Sequence, residues 1–233
     1  MALKAVLFDF NGVIINDEAI HEELIADILI KENLNPDCDD FRCFCLGRSD
    51  RACLKDILKC RGRVVTDDYL TKLIEQKSKT YQEKLSQLDP LPIYPGLREF
   101  LEQLQQQKLL IGLVTGALKK EAQLVLEKSA LSSYFSVIVA GDDITTSKPE
   151  PDGYLLAITR INQHYPDLSL QANQCLVIED TYAGIEAAKR AGMQVVGISH
   201  TYPLHMLQRR ANWTVDYLAD IELERVNQVL TNA

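Results

Sequence analysis

An α/β fold with a parallel, Rossmann-like sheet and an inserted α-helical cap is predicted by three observations. Short apolar, β-branched runs recur along the chain with helical stretches between them, the pattern of strands joined by covering helices. The first two runs are separated by about a hundred residues, far more than one crossover helix requires. The segment between them carries helical periodicity and ends in a cluster of prolines.

The first strand is expected over residues 5–10. It delivers Asp9 to its carboxyl end, where open α/β sheets bind ligands, and breaks at Gly12. Residues 14–16 then lead into the insert. Its last helix places Leu70, Leu73, Ile74, Lys77, Tyr81, Leu85 and Leu88 at mostly three- and four-residue steps, an apolar stripe containing one lysine stem. Asp89-Pro90-Leu91-Pro92 and Pro95-Gly96 stop that helix and return the chain to the sheet. Residues 1–16 and 91–233 are thus assigned to the α/β core, and 17–90 to the helical cap. Two short linkers beside Asp9 suit a cap that opens and closes over the site.

Further strands are expected over residues 110–115, 137–140, 176–178 and 195–198. Thr115-Gly116-Ala117 ends the second strand and is read as starting a helix. A hydroxyl beside helix N–H groups can cradle a phosphate, although Thr also serves there as a simple cap. Lys148 precedes Pro149 in a loop that Pro149 and Pro151 stiffen, with a helix beginning near Pro151. An isolated lysine is usually a solvated charge, but one pinned before Pro is a better candidate for a phosphate point charge. Glu179 and Asp180 end the fourth strand and could join Asp9 in supplying oxygen ligands to Mg²⁺; alternatively, Asp180 or Thr181 only caps the helix that runs through Arg190. Trp213 reads as core.

The 233 residues, 46% hydrophobic and 25% charged, suit a soluble globular protein. A net charge of −8 gives no electrostatic footprint for nucleic acid or an anionic membrane. Asp9 interrupts the first apolar run, so a signal peptide is not expected, and no run reaches membrane-spanning length. A cytoplasmic monomer acting on a small molecule is expected. The six cysteines, among them the cluster Cys38, Cys43 and Cys45 with Cys53 and Cys60 beyond, are then read as reduced thiols. With no CxxC pair, a zinc site is disfavoured.

In order, Asp9-x-Asn11-Gly12-Val13, Thr115-Gly116, Lys148-Pro149-x-Pro151-Asp152 and Glu179-Asp180-x-x-x-Gly184 resemble the four motifs of the haloacid dehalogenase-like superfamily. The likeness covers nearly the whole chain. The insert resembles the helical cap of the phosphoglycolate phosphatase and β-phosphoglucomutase branch, with Asp17-Glu18 and His21 at its start. The resemblance implies Mg²⁺-dependent hydrolysis of a small phosphorylated metabolite through an aspartyl phosphate on Asp9. It implies Mg²⁺ held by Asp9, the Asn11 backbone carbonyl and Asp180, with Glu179 supporting them from behind. Thr115, Gly116 and Lys148 would bind the phosphoryl group.

Two departures qualify that expectation. Position 11 is usually Asp in the family's phosphatases and mutases, where it moves protons. Asn11 keeps the backbone carbonyl but removes acid–base help, a loss of about 10²- to 10⁴-fold, so Asn11→Asp is expected to raise turnover on alkyl phosphates by a similar factor. In the cap, Leu46 of Cys45-Leu46-Gly47-Arg48-Ser49 stands where β-phosphoglucomutases typically have Lys, which ranks a phosphosugar mutase below a phosphatase. Arg48 is read either as binding an anionic part of the substrate or as a solvated loop residue, and His21 either as ordering the closed cap or as lying on an exposed helix face. A phospho-ligand-binding pseudoenzyme is the rival from another class. A phosphonate hydrolase would need a Schiff-base lysine near Asp50, and Lys55 is a helical turn away.

Overall fold

The computed structural model describes residues 2–37 and 39–232. Six strands form one parallel sheet: β1 (Ala5–Phe8), β2 (Leu110–Val114), β3 (Val137–Val139), β4 (Cys175–Glu179), β5 (Gln194–Ile198) and β6 (Trp213–Val215), in the order β3-β2-β1-β4-β5-β6. Within the inner strands alternate residues serve opposite faces. Val6, Phe8, Ile111, Leu113, Leu176 and Ile178 pack in one apolar cluster, and Ala5, Leu7, Val114, Cys175 and Val177 in the other. A sheet covered on both sides explains why these strands read as continuous apolar runs rather than alternating ones. Fully burying each of the large aliphatic and aromatic side chains contributes about 1.5–3 kcal/mol.

Four helices stand between β1 and β2 before the chain re-enters the sheet layer: α1 (Glu18–Lys31), α2 (Asp40–Phe44), α3 (Asp50–Cys60) and α4 (Asp67–Gln87). They enclose an apolar cluster of their own, including Ile25, Ile28, Leu54, Ile57, Leu70 and Ile74. The expected α4 stripe is buried from Leu70 to Leu85, Lys77 included. Its two ends differ, because Tyr81 and Leu85 join the sheet-side cluster while Leu70, Leu73 and Ile74 stay in the helical one. The linkers run side by side: Asn16 N–H donates to Pro92 O at 2.9 Å and Tyr94 N–H to Ile14 O at 3.1 Å.

The covering helices are α5 (Leu97–Gln106), α6 (Lys119–Lys128), α7 (Asp152–His164), α8 (Tyr182–Arg190), the short α9 (Leu204–Leu207) and α10 (Leu223–Asn232). No described helix is long and apolar enough to cross a membrane.

Three expectations need correction. Helix α6 begins at Lys119 behind Leu118, so Thr115 is not at a helix start. The Thr115 hydroxyl instead accepts from Ala117 N–H at 2.9 Å and holds a tight turn. Trp213 is half-buried on the edge strand β6, packed against the core rather than within it. The cysteines are not all thiols: the turn from α2 to α3 brings Cys45 and Cys53 to a Cα separation of 4.7 Å and they form a disulfide. Cys43, Cys60 and Cys175 are free, and Cys38 lies outside the described residues.

Candidate active site

Strand β1 pairs with β2 on one side and with β4 on the other, which makes its carboxyl end the switch point of the sheet. The register sets Phe8 opposite Ile178, so Asp9 emerges beside Glu179 and Asp180. All three carboxylates are buried, and one oxygen from each lies within 4.8 Å of the others. Lys148 reaches them from the loop before α7. Its Nζ donates to Asp9 Oδ1 at 2.5 Å, to Glu179 Oε1 at 2.7 Å and to the Val114 carbonyl at 3.2 Å.

Glu179 has no oxygen to spare. Besides Lys148, Oε1 accepts from the Tyr154 hydroxyl at 2.9 Å, while Oε2 accepts from the backbone N–H groups of Asp180 and Thr181 and from Thr181 Oγ1. It is a brace for its neighbours. Asp180 differs: Oδ2 accepts from the Thr201 hydroxyl, whereas Oδ1 is buried and has no hydrogen-bond partner among the described residues. Such an atom is costly unless something fills its coordination.

Burial pushes the Asp9 carboxyl up to about 7, against the pull of Lys148 and with the help of Glu179. Asp180 is raised well above the usual carboxylate range, by burial first and then by its acidic neighbours. Burial works against the Lys148 ammonium, but Asp9 and Glu179 outweigh it and raise its pKa. If all three acids ionise, one ammonium leaves two negative charges uncompensated. Together with the orphaned Asp180 oxygen, this donor set fits a hard divalent cation with oxygen ligands.

The glycines of the site leave room for its carboxylates and for the helical unit. Gly12 takes φ +78°, and a Cβ there would overlap Asp180. Gly47 takes φ +71°, and its Cβ would overlap Thr181, so the α2–α3 loop lies directly on the end of β4. A Cβ on Gly116 would sit 2.8 Å from the Arg48 carbonyl, and Ser49 N–H donates to Ser147 Oγ at 2.7 Å, beside Lys148. The cleft left between the two parts, about 50 Å³, is lined by Asp9, Asn11, Glu18, His21, Arg48 and Asp50 among others. Gly184 has no room either, since a Cβ would overlap the Glu179 carboxylate. Gly184→Ala is therefore expected to destabilise by about 1–3 kcal/mol through displacing that brace, measurable by urea unfolding.

Of the anticipated site residues, Asp9, Asn11, Gly116, Arg48 and His21 line the cleft. Lys148, Glu179 and Asp180 are gathered at Asp9, and Thr115 is buried beneath Gly116. Thr181 also caps α8, accepting from Gly184 N–H at 3.2 Å. His21 is not on an exposed face, being 9% exposed and 3.1 Å from Asn11 Nδ2. The Arg48 guanidinium is neither free nor simply solvated. It is held by Asp56 at 2.6 Å and by the Phe44 carbonyl. The sequence pattern placed Tyr81 in the apolar stripe without a role for its hydroxyl and gave no role to Tyr154 or to the ties made by Ser147. The two tyrosines sit at apolar-patterned positions with hydroxyls that must find partners, which was the available signal.

The parallel sheet, with three buried acids and a lysine gathered at its carboxyl edge, is an α/β architecture with its candidate active site at the switch point. The chain belongs to the haloacid dehalogenase-like hydrolase family, whose sequence model matches residues 6–198. It is 30% identical over 229 residues to the β-phosphoglucomutase of Bacillus subtilis, covering 97% of this chain and 95% of that one. It is 27% identical over 201 residues to a phosphorylated carbohydrates phosphatase of Thermotoga maritima, covering 85% and 87%. Among solved structures, a β-phosphoglucomutase from Clostridium difficile shares the fold with a TM-score of 0.84 at 23% identity, covering 99% and 98%.

Proposed function

We propose that the protein is a Mg²⁺-dependent phosphohydrolase acting on a small phosphorylated metabolite, with Asp9 as nucleophile and the helical unit 17–90 as a cap. The observation that carries this reading is the buried Lys148 bridge between Asp9 and Glu179, beside the unsatisfied Asp180 oxygen. Asp9, the Asn11 backbone carbonyl and Asp180 would hold Mg²⁺, which when bound supplies positive charge to the phosphate oxygens and keeps Asp9 ionised.

Asp9 attacks phosphorus through a carboxylate oxygen, the ester P–O bond breaks, and the leaving oxygen takes a proton from solvent water. Water then attacks the aspartyl phosphate, returning the carboxylate and releasing phosphate. Lys148 neutralises the phosphoryl oxygens, and the turn after β2 offers them the Gly116 N–H, those of Thr115 and Ala117 being held by the Val139 carbonyl and the Thr115 hydroxyl. Asn11 has no carboxyl to protonate a poor leaving group, so acyl phosphates and other esters with acidic leaving groups are favoured over alkyl phosphates. Arg48 and His21 line the substrate's end of the cleft. The names of the similar proteins support a phosphorylated carbohydrate as the substrate class, on whose alkyl esters Asn11 makes turnover slow, and likeness to β-phosphoglucomutase keeps hexose-phosphate isomerisation as the second activity to assay.

The test is a panel of phosphometabolites with and without Mg²⁺. Chelation by EDTA is expected to remove phosphate release and re-addition of Mg²⁺ to restore it. Release that is indifferent to Mg²⁺ would contradict the assignment, and binding without turnover would favour a pseudoenzyme.

A further inference from the structure

Asn11 is not free to choose which end of its amide meets the cleft. Its Nδ2 lies 3.0 and 2.9 Å from the two oxygens of Asp17, a buried carboxylate that also accepts from the Tyr81 hydroxyl. Turning the amide over would set carbonyl oxygen against carboxylate, acceptor against acceptor, where an unmade hydrogen bond is costly. The neighbours agree. Lys77 Nζ, which has donors only, is 2.8 Å from His21 Nδ1 and is ion-paired with Asp50, so Nδ1 accepts and Nε2 carries the hydrogen. Nε2 faces Asp17 Oδ2 at 3.3 Å, and its 3.1 Å approach to Asn11 Nδ2 is that of two donors converging on one carboxylate. The bonds from Asp50 through Lys77, His21 and Asp17 to Asn11 thus form one mutually consistent set of donors and acceptors.

We propose that Asp17 is a positioning residue: it draws the Asn11 NH₂ toward α1 so that the Asn11 carbonyl oxygen faces the cleft, and positions 11 and 17 act as one amide–carboxylate pair. The catalytic half of this inference rests on the phosphohydrolase reading; the pairing itself does not. A carbonyl turned to the cleft accepts a hydrogen bond from an incoming water or a substrate hydroxyl and aims its oxygen, without taking the proton. The pairing also changes what Asn11→Asp can do. Alone, that substitution sets a second carboxylate about 3 Å from Asp17, and the two like charges repel in a buried site. Exchanging the residues, Asn11→Asp with Asp17→Asn, restores one amide and one carboxylate, and the amide carbonyl then present at position 17 still accepts from Tyr81.

The experiment is a double-substitution cycle with two readouts, melting temperature of the metal-free protein and Mg²⁺-dependent phosphate release from an alkyl phosphate. Asn11→Asp alone is expected to melt at least about 3 °C lower and to gain less than about tenfold in turnover, and the exchanged pair to recover most of the melting temperature and gain about 10²-fold or more. An exchanged pair that melts no higher than the single variant, or does not fold, overturns the pairing. So does a full gain in turnover from Asn11→Asp alone with no loss of melting temperature. Recovery of melting temperature with no phosphate release from any of the proteins leaves the pairing standing and defeats the phosphohydrolase reading.

Discussion

Asp9→Asn is expected to abolish Mg²⁺-dependent phosphate release, a loss of about 10⁴-fold or more, because an amide cannot replace the carboxylate oxygen proposed to attack phosphorus. The substitution should not unfold the protein. Asp9, Glu179 and Asp180 together exceed the charge of Lys148, so removing one carboxylate relieves repulsion in the metal-free state. The check is steady-state phosphate release beside a melting curve for the same preparation. Undiminished turnover in folded Asp9→Asn protein would remove Asp9 from the reaction.

Lys148→Ala is the second large effect, and it falls on stability as well as on activity. The lysine is 6% exposed and bonded to two buried carboxylates. Removing one partner of such an arrangement costs about 3–5 kcal/mol, which for a chain of this size is about 6–20 °C in melting temperature. Saturating Mg²⁺ should return part of that loss, since a cation can take over the compensation of the remaining acids. Affinity for a phosphate-mimicking metal fluoride should fall in the same variant. Unchanged melting and unchanged fluoride binding would show that Lys148 is not the charge partner of the site.

The pH dependence follows from Asp9. Its carboxyl, raised from 3.8 to about 7 by burial, binds its proton more tightly folded than unfolded. Its contribution to the stability of the metal-free protein is therefore greatest below about 4 and is lost as pH rises to about 7. Mg²⁺ requires the ionised form, so the Mg²⁺-induced rise in melting temperature should be larger at pH 8 than at pH 5. The reverse order, measured by thermal unfolding at both values, would place the cation elsewhere.

Much of this was legible in the residues. Continuous apolar runs announced strands buried on both faces, and the order of acids and lysine at their ends picked out side chains that the fold gathers at the end of β1. The α4 stripe was readable too, and the lysine within it was a clue: Lys77 is buried because Asp50 and His21 meet it from other helices. Those partners are distant in sequence, and no local pattern announces such a meeting. The bond between Asn11 and Asp17 spans only six residues, yet it was hidden too, because it depends on the entry angle of α1. Thr115 misled because a strand followed by Thr-Gly looks alike whether a helix or a turn comes next, and Leu118 offered no polar side chain to mark the true cap. Strand β6 is three residues long on an edge, too short to show a pattern.

The central claim is that Asp9 carries the phosphoryl group, and Asn11 makes it directly observable because no carboxylate at that position activates the water that clears the intermediate. The measurement is rapid acid quenching of the protein with Mg²⁺ and a labelled acyl phosphate, followed by peptide mapping. The account predicts one phosphoryl group per chain, on the peptide containing Asp9, released by hydroxylamine and absent from Asp9→Asn. Label on a different residue, or steady turnover with no label at any quench time, would contradict it.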